Sequence, residues 1–270
     1  MKSLFLLVSV ALLSLGVVGQ NVGQKNDSLV NYSDINGLKQ GVWKKTYENG
    51  AIEYEAYFVN NKPVGDFKRY DKKGDMVAYL IYDTITDFAR AKFYYKSGRV
   101  MSEGNYLGHN KDSIWNYYND NGIKYLEESY KNGVKDGVFR LYTKERVLLE
   151  ETYWKDGKKS GSWKKFYASG ELMWESNLVN GLLEGEAKSY YKNGKIYREG
   201  AFKNDLMDGT WFKYGKTGKV EQIYRYKDGY SPEADKEGED MMRNLNNNKD
   251  KFDGPMNAND IDWLRSKSRY

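Results

Sequence analysis

The sequence predicts an all-β protein, an elongated antiparallel meander of about eight tandem 24-residue β-hairpin units ending in a short irregular or helical C-terminal tail. Three observations carry that expectation. A Gly-x-aromatic triplet, or a variant of it, starts at Gly41, Gly65, Ala89, Ser113, Gly137, Gly161, Gly185 and Gly209, so every interval is 24 residues. Each period holds two turn signals flanking ring-rich stretches, which gives two strands per unit and sixteen in all. The chain is also rich in Tyr (25), Trp (7) and Phe (10) but sparse in aliphatic residues, a composition suited to a pleated surface rather than a deep globular interior.

The N-terminus reads as a cleavable leader, residues 1–19. Lys2 supplies a positive start, Leu4 to Leu15 an uncharged apolar stretch, and Val17 and Gly19 the small residues of a cleavage site. The apolar stretch is shorter than the roughly 20 residues of a bilayer span, so cleavage is favoured over a membrane anchor. The expected destination is the periplasm or the exterior. With no cysteine there is no lipobox, no disulfide framework and no thiolate chemistry. Residues 20–40 form a polar lead-in with one strand expected near 29–32, ending in a degenerate unit whose Asn-Gly-Leu-Lys-Gln-Gly matches Asn-Gly-Val-Lys-Asp-Gly before the fifth unit.

The repeats occupy residues 41–232. Position three is aromatic in six units (Trp43, Phe67, Trp115, Phe139, Trp163, Trp211), and position eighteen is apolar or aromatic in all eight. The first turn often carries Asn-Gly, as at Asn49-Gly50, a strong hairpin signal. If positions nine and ten make a two-residue turn, position four (Lys44, Lys68, Lys92, Arg140, Lys164, Lys188) faces position fifteen (Glu55, Glu103, Glu127, Glu151, Glu175, Glu199). A column of opposite charges then fixes the register. The same register sets the position-one glycine opposite the position-eighteen ring. Positions three, seven, twelve and eighteen form the expected packed face. The other face carries the charge column and the position-six rings Tyr70, Tyr94, Tyr118, Tyr142, Tyr190 and Tyr214, which are the candidate binding surface. Residues 233–270 form a polar tail and candidate cap, with a short helix expected over Asp260–Arg265 behind Asn259.

The pattern G-x-W-x-x-Y-Y-x-N-G, followed by Glu, an aromatic and N-G-x-x-x-G, resembles the MORN repeat. More closely, it is similar to the bacterial MORN-variant repeat of proteins labelled YwqK-family antitoxins. The resemblance spans about residues 36–232. It implies hairpin sheets used mainly for protein contacts, with lipid binding proposed for some members, and the antitoxin label implies neutralisation of a toxin partner. A leader would separate this chain from a cytoplasmic toxin, which leaves an immunity role in the envelope.

No enzyme is expected, and no catalytic, cofactor-binding or metal-binding residues. The sole histidine, His109, sits in a turn-like segment, and the glutamates recur at one repeat position opposite lysines, as a structural column does. Gly-rich stretches lack the phosphate-loop spacing. The net charge of +5 is mild and interspersed, so neither nucleic acid nor a membrane surface is an expected partner. The expected function is an exported protein–protein interaction scaffold. A toxin-neutralising role and a cell-wall glycan-binding module are the alternatives. The stretch Asp83 to Phe88 replaces the second Asn-Gly turn, ahead of Ala89 and Ala91, and marks either drift in one repeat or a binding notch.

Overall fold

A computed structural model describes residues 29–238. The leader and the helix expected over Asp260–Arg265 lie outside the described residues. The array opens with β1 (Tyr32–Ser33), β2 (Lys39–Thr46), β3 (Ile52–Val59), β4 (Lys62–Tyr70), β5 (Met76–Tyr82) and β6 (Phe88–Tyr94). It continues through β7 (Val100–Leu107), β8 (Asn110–Tyr118), β9 (Lys124–Lys131), β10 (Val134–Tyr142), β11 (Leu148–Lys155) and β12 (Lys158–Phe166). It ends with β13 (Leu172–Val179), β14 (Leu182–Tyr190), β15 (Ile196–Lys203), β16 (Leu206–Tyr214) and β17 (Val220–Tyr226), followed by helix α1 over residues 232–238. Each strand pairs antiparallel with the next, giving one meander. The sixteen expected strands are β2 to β17.

The predicted register holds, by a different route. Lys44 faces Glu55, Lys92 faces Glu103, Arg140 faces Glu151, and Gly41 faces Phe58. The first turn, however, has three residues. Gly50 N donates to the Tyr47 carbonyl and Tyr47 N to the Ala51 carbonyl, a type I turn closed by a left-handed glycine (φ 82°). That loop alone would displace the pairing by one. A bulge cancels it, because Thr46 pairs with Ile52 but Lys45 pairs with Tyr54, leaving Glu53 as the extra residue.

The bulge changes which face position twelve occupies. Ile52 lies opposite Thr46 in the position-six row, and Lys124 sits over the Tyr142 ring at 5.4 Å. Position twelve therefore belongs to the charged face, which corrects its expected place on the packed one.

The packed face carries positions three, fourteen, sixteen and eighteen. Trp115 and Trp211 are 1% exposed, and Ala56, Phe58, Ala78, Phe202 and Tyr224 are buried with them. Position sixteen is the seat of the next unit's ring. An ideal Cβ on Gly104 would lie no more than 2.6 Å from three ring atoms of Trp115, and one on Gly200 no more than 2.4 Å from three ring atoms of Trp211. Each indole N–H then donates 3.0 Å to the carbonyl just past its seat, Asn105 or Ala201. Where Ala187 replaces the ring, Trp174 packs into the same cluster and lies edge-on to Phe202 at 6.1 Å.

The junctions between units use two-residue turns with left-handed backbone, such as Asn60-Asn61 and Asn132-Gly133. A two-residue slip follows each: Tyr57 pairs with Val64 but Ala56 with Phe67, so Gly65 and Asp66 bulge out. Position one consequently takes a positive φ, which favours glycine. Ser113 holds it at φ 58° without that freedom. Left-handed backbone costs an L-residue about 1–2 kcal/mol, against about 0.5–1 kcal/mol for ordering a glycine. Ser113→Gly is expected to stabilise the chain by about 0.5 kcal/mol, read as a higher Tm in thermal unfolding, and a lower Tm would contradict the bulge account.

Ala89 needs no such glycine. Between β5 and β6 the loop closes with Asp83 N on the Phe88 carbonyl, and pairing runs from Tyr82–Ala89 to Ala78–Phe93 without a slip. The two bulge residues have moved into the loop, the downstream register is unchanged, and Ala89 is fully buried.

Both ends are closed by local chemistry. The Asn31 side chain donates to the Lys44 carbonyl and accepts from the Lys44 amide, acting as a strand partner for β2. Because Asn31 takes a left-handed turn (φ 63°), the lead-in strand begins at Tyr32. At the other end Ser231 caps α1, its hydroxyl accepting from Ala234 N ahead of Pro232. The helix lies over the packed face, where Glu237 meets Lys213, Tyr224 and Arg198.

Candidate protein contact surface

Alternation along each strand leaves positions two, four, six, twelve, fifteen and seventeen on the face opposite the buried rings. Across the sheet these form three rows. The middle row is the charge column, with ion pairs Lys44–Glu55, Lys68–Glu55, Lys92–Glu103, Arg140–Glu127, Arg140–Glu151 and Lys188–Glu199. Most of these pairs are partly exposed and worth a few tenths of a kcal/mol each, so they set register more than stability.

The second row holds the predicted tyrosines, all half-buried. Tyr70, Tyr118, Tyr190 and Tyr214 donate their hydroxyls to Glu55, Glu103, Glu175 and Glu199, one unit back. Burial and the Glu103 acceptor push the Tyr118 hydroxyl up to about 12, and the same causes raise Tyr190. Tyr70 is raised by burial and Glu55, and Tyr214 by its bond to Glu199 and then by burial. These hydroxyls stay protonated and hydrogen-bonded, which makes the row a rigid lattice with exposed ring edges. Tyr94 lacks that acceptor because position fifteen of the preceding unit is Tyr79, whose hydroxyl donates 2.8 Å to Asp66. Tyr142 lacks it because Glu127 is held by Lys124 and Arg140.

The third row, positions two and seventeen, was not singled out from the sequence. In the first five units it places Val42, Tyr57, Ile81, Ile114, Val138 and Tyr153 beside the charge column, interrupted by Asp66, Arg90, Asn105 and Ser129. Ile114 is 48% exposed, Ile81 43% and Tyr153 39%. Beyond Tyr153 the row is polar except for Ala201, with Ser162, Asn177, Glu186, Thr210 and Arg225. The signal was present as shared parity with position four, but the varied residue types hide it among repeats scanned for identity.

Lysines at position twenty-three also escaped notice. Lys39, Lys111, Lys135 and Lys159 lie on the packed face with their ammonium groups over rings, as Lys111 does at 4.4 Å from Trp115. Such cations shield ring faces that would otherwise meet water. A singular feature accompanies them. Glu128, 7% exposed, occupies a ring seat and accepts from Lys135 at 2.5 Å and Tyr130 at 2.7 Å. Burial opposes its charge, yet these partners hold its carboxyl below the usual carboxylate range. Among the described residues no group of His, Asp or Glu is placed to hold a metal ion, and no helix is long and apolar enough to cross a membrane.

This architecture is that of a tandem β-hairpin repeat protein, each unit burying its rings against the next. A family model for the MORN repeat variant matches residues 39–60, 89–107, 183–204 and 207–228, each a hairpin of the array. The chain is a MORN-like repeat protein. No curated protein matches it in sequence. Among solved structures, a mutant of TarM from S. aureus in complex with fondaparinux, alpha-GlcNAc-glycerol and UDP is similar at 10% identity, over 36% of this chain and 19% of that one, with a TM-score of 0.28. That likeness is too slight to bear on fold or function.

Proposed function

We propose that this chain is a non-enzymatic scaffold, exported on residues 1–19 into the cell envelope, that holds another protein on its charged face. The observation that supports this reading most is the row from Val42 to Tyr153, where six half-exposed apolar or aromatic residues are interspersed with Asp66, Arg90, Asn105 and Ser129. Aliphatic and aromatic side chains on a solvated sheet face, flanked by charges already paired with one another, have the composition of a protein interface centre. Across the charge column, the four tyrosines bonded to glutamates are ordered before binding, which lowers the entropic cost of contact.

The test is affinity capture of the mature chain from its own envelope fraction, beside an I81E/I114E variant. The wild type should retain one stoichiometric protein, and the variant should lose it by more than tenfold while keeping its Tm, since interface centres cost about 2 kcal/mol or more per truncated anchor. Retention on insoluble peptidoglycan, released by soluble glycan, would replace this reading with glycan binding.

A further inference from the structure

In seven units the second turn is stapled to the one before it. The amides of Asn61, Gly108, Gly133, Gly157, Gly181, Asp205 and Gly229 donate to the carbonyls of Lys39, Asp87, Lys111, Lys135, Lys159, Leu183 and Met207. The remaining unit breaks the row. Its Ile85 and Thr86 amides turn inward onto the Asp83 carboxylate, and among the described residues no amide reaches the equivalent carbonyl of Pro63. A groove of about 400 Å³ opens there, walled by Lys62, Pro63, Val64, Tyr82, Ile85 and His109. Ile85 is 93% exposed beside it.

We propose that this groove receives a tight β-turn with a basic flank from a partner protein, taking the place of the turn that the other units supply themselves. The footprint defines the shape of the occupant. In six units the position is filled by a left-handed two-residue turn, such as Asn132-Gly133 or Asp156-Gly157, whose second amide is the donor. The Pro63 carbonyl awaits the same bond. Charge defines the flank. Loop residues Asp83 and Asp87 border the groove; Asp83 accepts from the loop itself, whereas Asp87 among the described residues pairs with the exposed Lys62 at 3.0 Å, a pair that a competing cation displaces at small cost. Four of the seven turns that fill equivalent positions follow a lysine, Lys131, Lys155, Lys203 or Lys227. Pro63, Val64 and Ile85 supply the apolar contact. The groove lies along the second-turn margin, adjoining the row proposed above but lined by none of its residues, and its test reads His109 alone, so each proposal can fail without the other.

The probe is a hairpin peptide closed by flanking cysteines and carrying Tyr-Lys-Asn-Gly-Val-Lys, titrated into the full chain. His109 is the sole histidine, so its imidazole proton signals report from the groove wall without overlap. The expected result is a saturable shift of those signals. It should weaken at least tenfold when the peptide's glycine amide is N-methylated. It should also weaken at least tenfold in the variant T84N/I85G/A89G, which restores the two-residue turn and its bulge and fills the groove. If that variant misfolds, the N-methylated peptide still decides the matter against wild-type chain. An unmoved His109 at millimolar peptide, or equal binding of the N-methylated peptide, would overturn the proposal.

Discussion

Gly200→Ala should destabilise the chain by about 2 kcal/mol, the cost of forcing one methyl into a filled site. In most strands this change is mildly favourable, because alanine loses less backbone entropy than glycine. Here the added Cβ would press to within 2.4 Å of three atoms of the Trp211 indole, which is 1% exposed and bonded to the Ala201 carbonyl. The ring cannot slide away without exposing Phe202, which it meets edge-on at 5.1 Å, and breaking its N–H bond. Trp211→Ala should cost about 4 kcal/mol through the cavity it leaves. The double variant separates this account from a general intolerance of the strand. With the indole gone, G200A should become neutral or stabilising by about 0.5 kcal/mol, a reversal of sign in the double-mutant cycle. Chemical denaturation of the four proteins reads it, and additive costs would contradict the seat.

Arg140→Met should cost about 2 kcal/mol at neutral pH and progressively less in acid. Arg140 spans Glu127 and Glu151, with nitrogen–oxygen distances of 2.9 Å and 2.7 Å, and the Glu127 side chain is 10% exposed. Removing one partner of a buried ion pair leaves a charge without compensation, typically worth about 3–5 kcal/mol. The figure is smaller here because Lys124 stays on Glu127 and Arg140 is itself a third exposed. The pH dependence follows from Glu127. Burial opposes its charge, but Lys124 and Arg140 outweigh burial and hold its carboxyl below the usual carboxylate range. A depressed folded value contributes stability that is present above the ordinary carboxylate range and lost as pH falls through the folded value. Without Arg140, burial raises the carboxyl and acid neutralises it, so the two unfolding curves should converge on acidification. A gap that stays constant across that range would mean the arginine acts through packing alone.

Much of the architecture was legible because the repeat reports on itself. Glycine at position one, aromatics at three and eighteen, and the Lys–Glu pairing all followed from one constant period. The turn was misread for a physical reason. A three-residue turn and a bulge at position thirteen displace the register in opposite senses, so Lys44 still meets Glu55 while Ile52 changes face. The seat at position sixteen was invisible because no one residue type recurs there through the array: Ala56, Leu80, Gly104, Glu128, Thr152, Ser176, Gly200 and Tyr224 occupy it. The candidate tyrosines lie together on one face as expected, though four of them serve the glutamates first. The row across the charge column from them needed the register before it could be seen, and helix α1 rests on the single capping Ser231 ahead of Pro232.

A photo-crosslinking residue placed at Tyr153, with a matched one at Trp174 on the packed face, tests the central claim most directly. Irradiation in the native envelope should join one protein covalently to the Tyr153 position and none to the Trp174 position. Adducts from Trp174 but not from Tyr153 would place the contact on the wrong side of the sheet and contradict the account.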